Sequence, residues 1–442
     1  MSYDLLLKGG TIVNHEGQGV RDVAVKDGRI AAIGENLGDA AEVIDCRGLH
    51  VFPGCIDTQV HFREPGNEHK EDLESGSRGA VLGGIVGVFE MPNTKPSTST
   101  KEALQDKLKR AQRMHCDYAF YVGATTDKAD SLAELEMQKG VCGVKIFMGA
   151  STGNLLVPDD DGLRAALSSG RRRVAIHSED EEIMEANAGL AREGDVHSHY
   201  EVRSVAAAVR STERLLRIAR EVGRRVHVLH ITTRDELPLL AANKDICSCE
   251  VTPQHLTLSA PDAYDRLGTK AQMNPPIRTA EHTEGLWRYL RMGLFDVVGS
   301  DHAPHTLEEK AKPYPLSPSG MPGVQTLVPI MLDHVAKGRL SLQHFVDLTS
   351  AGAQRLFNLS NKGRLAIGYD ADITVCDLAR EVELTDAMMA NKSGWSPFSG
   401  MTVQGFPVGT IIRGRKVMWE AEVLAEGTGE PIEFQETIRT PE

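Results

Sequence analysis

Residues 53–66 read Pro-Gly-Cys-Ile-Asp-Thr-Gln-Val-His-Phe-Arg-Glu-Pro-Gly. A short apolar segment opens on Pro53-Gly54 and runs into His61, a metal-ligand residue type. Two positions on, where strand alternation returns to the same side, stands Arg63. A strand that ends in a polar side chain and then turns at Pro65-Gly66 fits a parallel sheet that carries its chemistry at the strand ends.

The same pattern recurs downstream. Strand-like segments are expected at 54–60, 85–91, 118–123, 141–147, 173–177, 225–231, 246–251 and 295–300. Helical spacing lies between them, clearest over Ser204–Val222, where Val205, Val209, Leu215, Leu216 and Ala219 recur on one face. Eight strands alternating with helices over about 300 residues predict a (β/α)₈ TIM-type barrel, here residues 54–357. Both ends of the chain are different. Asp4–Val13, Val20–Ile33, Glu42–Asp45, Ala371–Asp377 and Pro407–Glu420 read as short strands broken by Gly9-Gly10, Asp27-Gly28 and Gly414. Residues 1–53 and 358–442 are therefore expected to build one small β-sandwich domain from the two termini.

On this map the polar candidates converge. His61 follows the first strand, Asn93 the second, and Lys145 lies near the end of the fourth. His177 ends the fifth, His230 the sixth, and Asp301 follows the eighth. Barrel active sites form at the C-terminal ends of the strands, so these residues should meet at one mouth. His177 and His230 at consecutive strand ends, with His61 and Asp301 at two others, make a metal site the preferred reading over isolated core histidines. His227, three residues before His230, should point to the opposite face and is read as structural. Lys145 sits in the apolar run Val141-Cys142-Gly143-Val144-Lys145-Ile146-Phe147, where a charged ammonium is costly and its pKa should fall. Asp301 in Ser300-Asp301-His302 could cap a helix or serve chemistry. Met148–Asp161, Gly-rich and then acidic, and Lys310–Gly323, rich in Pro and Ser, are candidate loops over the mouth.

Composition narrows the class. The chain has 442 residues, 41% hydrophobic and 25% charged, as ordinary globular proteins do. Its 49 basic and 62 acidic side chains leave a net charge of −13, which argues against nucleic-acid or membrane-surface partners. No run is long and apolar enough to span a bilayer, and Met1-Ser2-Tyr3-Asp4 lacks a basic leader, so a cytoplasmic protein is expected. Seven scattered cysteines read as free thiols, and Cys247 and Cys249 as core residues on one face of a strand.

Four motifs carry a family resemblance: Arg63-Glu64-Pro65-Gly66, Met91-Pro92-Asn93-Thr94, Asn274-Pro275-Pro276-Ile277-Arg278 and Ser300-Asp301-His302-Ala303-Pro304-His305. Together they span most of the chain, and the sequence resembles the dihydroorotases of the cyclic amidohydrolase superfamily. That resemblance implies reversible cyclisation of N-carbamoyl-L-aspartate to L-dihydroorotate, a step of pyrimidine biosynthesis. It implies zinc held by His61, Lys145, His177, His230 and Asp301, with Lys145 carboxylated on its ε-nitrogen to bridge two ions. Asp301 is also the implied general acid/base. Arg63, Asn93 and His305 are the implied contacts of the substrate carboxylate. His255, in a segment that the family shares, is open between a site role and a structural one. The departure is Gln59, which stands where the family carries the first His of a His-x-His pair. An amide is a poor zinc donor beside imidazole, so Gln59 is expected to be a weak ligand or none. One firm zinc and a second weak or absent one follow. The implied partners are a small anionic substrate and further copies of the chain. Two alternatives are kept: another cyclic amidohydrolase of allantoinase or hydantoinase type, and a catalytically impaired homologue that partners aspartate transcarbamoylase.

Overall fold

The structure is a computed structural model that describes residues 2–126, 128–150, 155–425 and 427–438. Its centre is an eight-stranded parallel sheet in simple sequential order: β1 (Cys55–Val60), β2 (Ile85–Glu90), β3 (Asp117–Gly123), β4 (Val141–Phe147), β5 (Val174–His177), β6 (Val226–Val228), β7 (Cys247–Val251) and β8 (Val297–Val298). Nearly every residue of these strands is buried, because helices cover one face and the barrel interior the other. The helix expected from Ser204 spans Val205–Val222, with Ser204 as its N-cap and Gly223 ending it in the left-handed region at φ 71°.

The last strands are shorter than the sequence predicts, and the reason bears on function. β6 and β8 lose their ladders where His230 (φ 36°) and Asp301 (φ 45°) enter the left-handed region. β8 meets β1 without a regular ladder. The Asp57 carboxylate accepts from Ser300 N at 2.9 Å, and His61 N donates to His302 O at 2.7 Å, next to a single Val60–His302 bridge. The barrel is thus closed almost entirely, with a side chain standing in for part of the ladder. At its floor Phe357 packs edge-on against Phe89, Tyr121 and His227.

Strands from the two termini form one mixed nine-stranded sheet, as expected. Tyr3–Asn14 pairs antiparallel with Gly17–Lys26 and parallel with Ala40–Asp45 and His50–Pro53. His50–Pro53 in turn pairs with Ile373–Glu383, which continues through Thr402–Ile412 and Arg415–Trp419. Leu5, Leu7, Val23, Val25, Ile373 and Val375 fill its own small core. The seven cysteines are free and buried, Cys247 and Cys249 among them. Among the described residues no helix is long and apolar enough to cross a membrane.

Candidate active site

The ends of β1, β4, β5 and β6 and the segment after β8 deliver Gln59, His61, Lys145, His177, His230 and Asp301 to one cavity, which Phe147, Asn274, Ala303, Ser319 and Gly320 also line. All six of the expected ligand positions therefore share a wall, although up to 242 residues separate them. Arg63, His230 and Asp301 all have positive φ, at 63°, 36° and 45°. Non-glycine residues adopt this region at a cost, and strain of this kind gathers at functional sites.

Two histidine clusters face each other across the cavity. In one, His177 Nδ1 lies 3.1 Å from His230 Nε2, and His177 Nε2 lies 2.8 Å from the Glu179 carboxylate. Donation from Nε2–H to Glu179 leaves Nδ1 bare and turned towards His230. In the other, His61 Nε2 is 3.2 Å from Asp301 Oδ1, and His61 Nδ1 is 2.8 Å from Asn93 Oδ1. Gln59 does not mimic an imidazole lone pair. Its Nε2–H donates to Asp301 Oδ1 at 3.0 Å, and its Oε1 has no hydrogen-bond partner. Lys145 Nζ is buried and has no hydrogen-bond partner either. Burial draws its pKa down from the usual lysine range to about 7. Burial also lowers the pKa values of His61, His177 and His230, so all three are neutral imidazoles.

Beside this cavity the Arg63 guanidinium is only 6% exposed. Its Nε donates to Pro304 O at 3.1 Å, and one terminal nitrogen lies 3.1 Å from His305 Nε2. Burial lowers its pKa to about 10, which leaves it cationic. Among the described residues no carboxylate comes within ion-pair distance of it. Arg63, Lys70, Lys95, Asn93 and His305 line a second pocket that adjoins the first.

Among the described residues no three His, Cys, Asp or Glu side chains are grouped closely enough to hold a metal ion. The donor chemistry explains this. Glu179 sits on the Nε2 side of His177, away from His230, so each cluster faces the cavity with only two such residues, and the side chains that would extend it are Lys145 and Gln59, an amine and an amide.

Comparison with known proteins gives this arrangement its context. The amidohydrolase family profile matches residues 50–417. The chain belongs to the amidohydrolase family. It is 36% identical over 420 residues to a dihydroorotase of Halobacterium salinarum, covering 93% of this chain and 96% of that one. An allantoinase of Escherichia coli is 35% identical over 432 residues, covering 94% and 95%. Among solved structures, an L-hydantoinase (dihydropyrimidinase) from Arthrobacter aurescens superposes with a TM-score of 0.92 at 31% identity, over 97% of this chain and 99% of that one. The protein is accordingly a cyclic-amide hydrolase of this family, related to dihydroorotases, allantoinases and hydantoinases alike.

Some features of this amidohydrolase escaped the sequence reading. Glu179 is fully buried and orients His177, while Arg203 holds its charge. Burial alone would raise the Glu179 pKa, but Arg203 and His177 together outweigh it and keep the carboxyl below its usual range. His177-Ser178-Glu179 places the two side chains at alternating spacing, a signal that could have been read. His227 does not leave the interior as strand alternation predicts. It lies under the site, 2.9 Å from Ser248 Oγ, and its Nε2 is 3.7 Å from the Glu250 carboxylate. The irregular backbone that follows β6 re-aims His230 relative to it. His255 braces a loop, with Nδ1 on Thr252 Oγ1 and Nε2 on Pro275 O. Of the two candidate loops, the Pro- and Ser-rich one does reach the cavity, through Ser319 and Gly320. The other includes residues 151–154, which lie outside the described residues.

Proposed function

We propose that this amidohydrolase is a dihydroorotase, interconverting N-carbamoyl-L-aspartate and L-dihydroorotate. The observation that carries the reading is Arg63, a buried guanidinium without a carboxylate partner, set beside the histidine clusters. A desolvated cation of this kind favours an anionic ligand, and its planar fork suits a carboxylate. Neither a hydantoin nor allantoin carries one, whereas dihydroorotate does.

The residues present fit zinc. His177 Nδ1 and His230 Nε2 stand 3.1 Å apart, close to the roughly 3.3 Å between two donors bound tetrahedrally at about 2.0–2.1 Å. His61 Nε2 and Asp301 Oδ1, at 3.2 Å, are similarly spaced. A buried lysine with its pKa at about 7 is present in substantial part as the free amine at neutral pH, the form that adds carbon dioxide. Its carbamate would give both clusters an oxygen donor. His177, His230 and carboxylated Lys145 would hold the tighter ion, and His61 with Asp301 the looser one. Bound zinc supplies Lewis acidity and brings the pKa of a water towards neutrality.

The protein's own groups then do the following work. Arg63 fixes the substrate carboxylate and so aims the ring amide at Asp301. Asp301 takes the proton of the attacking water and delivers it to the departing ring nitrogen. Ring closure runs the other way, with Asp301 removing the amide proton. Gln59 and His61 both engage Oδ1 of Asp301, which leaves Oδ2 for the travelling proton.

A second reading, hydrolysis of an uncharged hydantoin or allantoin ring, draws support from the near-complete backbone likeness to an L-hydantoinase. Turnover of L-dihydroorotate, hydantoin and allantoin by wild type and Arg63→Ala separates the two. We expect dihydroorotate to be preferred. Loss of a charge-assisted hydrogen bond costs about 1.5–3 kcal/mol, so the variant should lose roughly ten- to hundredfold on that substrate and little on the uncharged rings. Preference for an uncharged ring, or equal loss on all three substrates, overturns the dihydroorotase reading.

A further inference from the structure

His305 reaches the Arg63 pocket, and its two ring nitrogens make contacts that demand opposite protonation. Nε2 lies 2.9 Å from Ser319 O, which can only accept, and 3.1 Å from an Arg63 nitrogen, which can only donate. Burial, with Arg63 adding to it, pushes the imidazole pKa down to about 3. The ring is therefore neutral and carries one proton. The other nitrogen, Nδ1, lies 3.1 Å from Lys70 Nζ. An ammonium offers donors and no acceptor, so Nδ1 must be the bare nitrogen and the proton must sit on Nε2. The competing arrangement would have Nδ1–H donate to Glu309. That oxygen, Oε2, is 3.6 Å away, farther than the 3.1 Å Lys70 contact, and a proton on Nδ1 would face the Lys70 ammonium. Glu309 instead uses its other oxygen to hold Lys70 at 3.0 Å.

We propose that Lys70 is a positioning residue that fixes His305 as its Nε2–H tautomer and thereby sets the site's preference for carboxylated rings. With the proton on Nε2, His305 donates to Ser319 O and offers Arg63 no lone pair. The terminal nitrogen of Arg63 is then kept for an incoming carboxylate. That carboxylate, on displacing Ser319 O, also meets the Nε2–H of His305. Reverse the tautomer and Nε2 becomes an acceptor, which consumes the Arg63 donor and repels the carboxylate. Lys70 thus acts through His305, across 235 residues of sequence. The kinetic consequence rests on the dihydroorotase reading, whereas the tautomer does not.

The test uses Lys70→Met, which keeps the stem and removes the donor, and Lys70→Arg, which keeps a donor. Ring-nitrogen NMR shifts of ¹⁵N-histidine-labelled protein, with His305→Gln to assign the resonance, should show Nε2 protonated in wild type and in Lys70→Arg. In Lys70→Met the proton should populate Nδ1. Kinetically, Lys70→Met should raise KM for dihydroorotate about tenfold, the scale of one charge-assisted hydrogen bond. Its kcat should change less than its KM, the KM for hydantoin should be unmoved, and Lys70→Arg should recover most of the loss. A merely structural lysine would leave the tautomer alone and raise both KM values together, and either result overturns the proposal. If wild type instead prefers uncharged rings, the dihydroorotase reading fails and the tautomer measurement alone decides the role of Lys70.

Discussion

At the scale of single residues, Gln59 bears on how many ions the proposed zinc site should hold. Its amide nitrogen donates to Asp301 Oδ1 at 3.0 Å while its carbonyl oxygen is left without a partner. The side chain therefore braces Asp301 instead of offering a strong donor to a metal. The other cluster has no such defect, since Glu179 pre-orients His177 and bares its Nδ1. Metal-stripped protein titrated with zinc should bind one ion per chain tightly and a second only at much higher concentration. Gln59→His supplies the missing imidazole and should tighten the second ion. Outer partners of metal ligands are typically worth about 10–100-fold in affinity, and a direct donor should gain at least as much. Isothermal titration of both proteins checks this. Two equally tight ions in wild type would show that the amide suffices or stands aside.

At the scale of elements, the barrel was legible because every strand carries an apolar run and six of the eight also carry a polar candidate at or just after the C-terminal end. β8 was the least legible. Its ladder is only Val297–Val298 because the Asp57 carboxylate takes the Ser300 N–H. That bond joins residues 243 apart and leaves no local trace. The same applies to the segment before Gly323, which reads as a Pro- and Ser-rich loop yet is held firmly. Lys310, 1% exposed, donates from Nζ to Gln272 O, Pro318 O and Gly320 O at 2.8–3.1 Å. Gln272 adds bonds to Ser317 O and Ser319 Oγ. This clamp holds Ser319 and Gly320 against the cavity, so it should govern substrate fit more than stability. Lys310→Met keeps the volume and removes three charge-assisted bonds. KM should rise roughly tenfold, since such bonds are worth about 1.5–3 kcal/mol when lost. Tm should fall modestly, because three carbonyl oxygens lose their donor while the cost of burying an ammonium is removed. Steady-state kinetics beside a thermal melt reads both, and a fall in Tm with KM unchanged would make Lys310 a plain stability residue.

At the scale of the whole molecule, the terminal sheet and the barrel are locked together by buried charge. Asp117 opens β3 at the barrel floor, opposite the mouth, and is 1% exposed. Arg413, which follows the strand Thr402–Ile412, reaches both Asp117 oxygens at 2.6 Å, and Lys362 Nζ reaches Oδ2 at 2.6 Å. Lys362 also pairs with Asp372, whose other oxygen accepts from Arg413 N at 2.8 Å. Burial works against the Lys362 charge, but Asp117 and Asp372 outweigh it and hold its pKa above the usual lysine range. A lysine pKa raised by folding contributes stability in full below its unfolded value of about 10.4 and loses it only at higher pH. The Lys362 contribution to the lock is therefore constant across neutral pH. Removing one partner strands the others without compensation, which typically costs about 3–5 kcal/mol. Lys362→Met should lower Tm by several degrees, and Asp117→Asn should do the same by leaving Arg413 and Lys362 underpaired. Because both sites share one network, the double variant should lose clearly less than the sum of the two single losses. The floor is remote from the mouth, so kcat measured well below the melting range should be close to wild type in every variant. Thermal melts at one scan rate, combined as a double-mutant cycle, supply the measurement. Strictly additive losses would mean that the two charges act independently, and a large drop in kcat at low temperature would mean that the terminal sheet shapes the mouth as well as the floor.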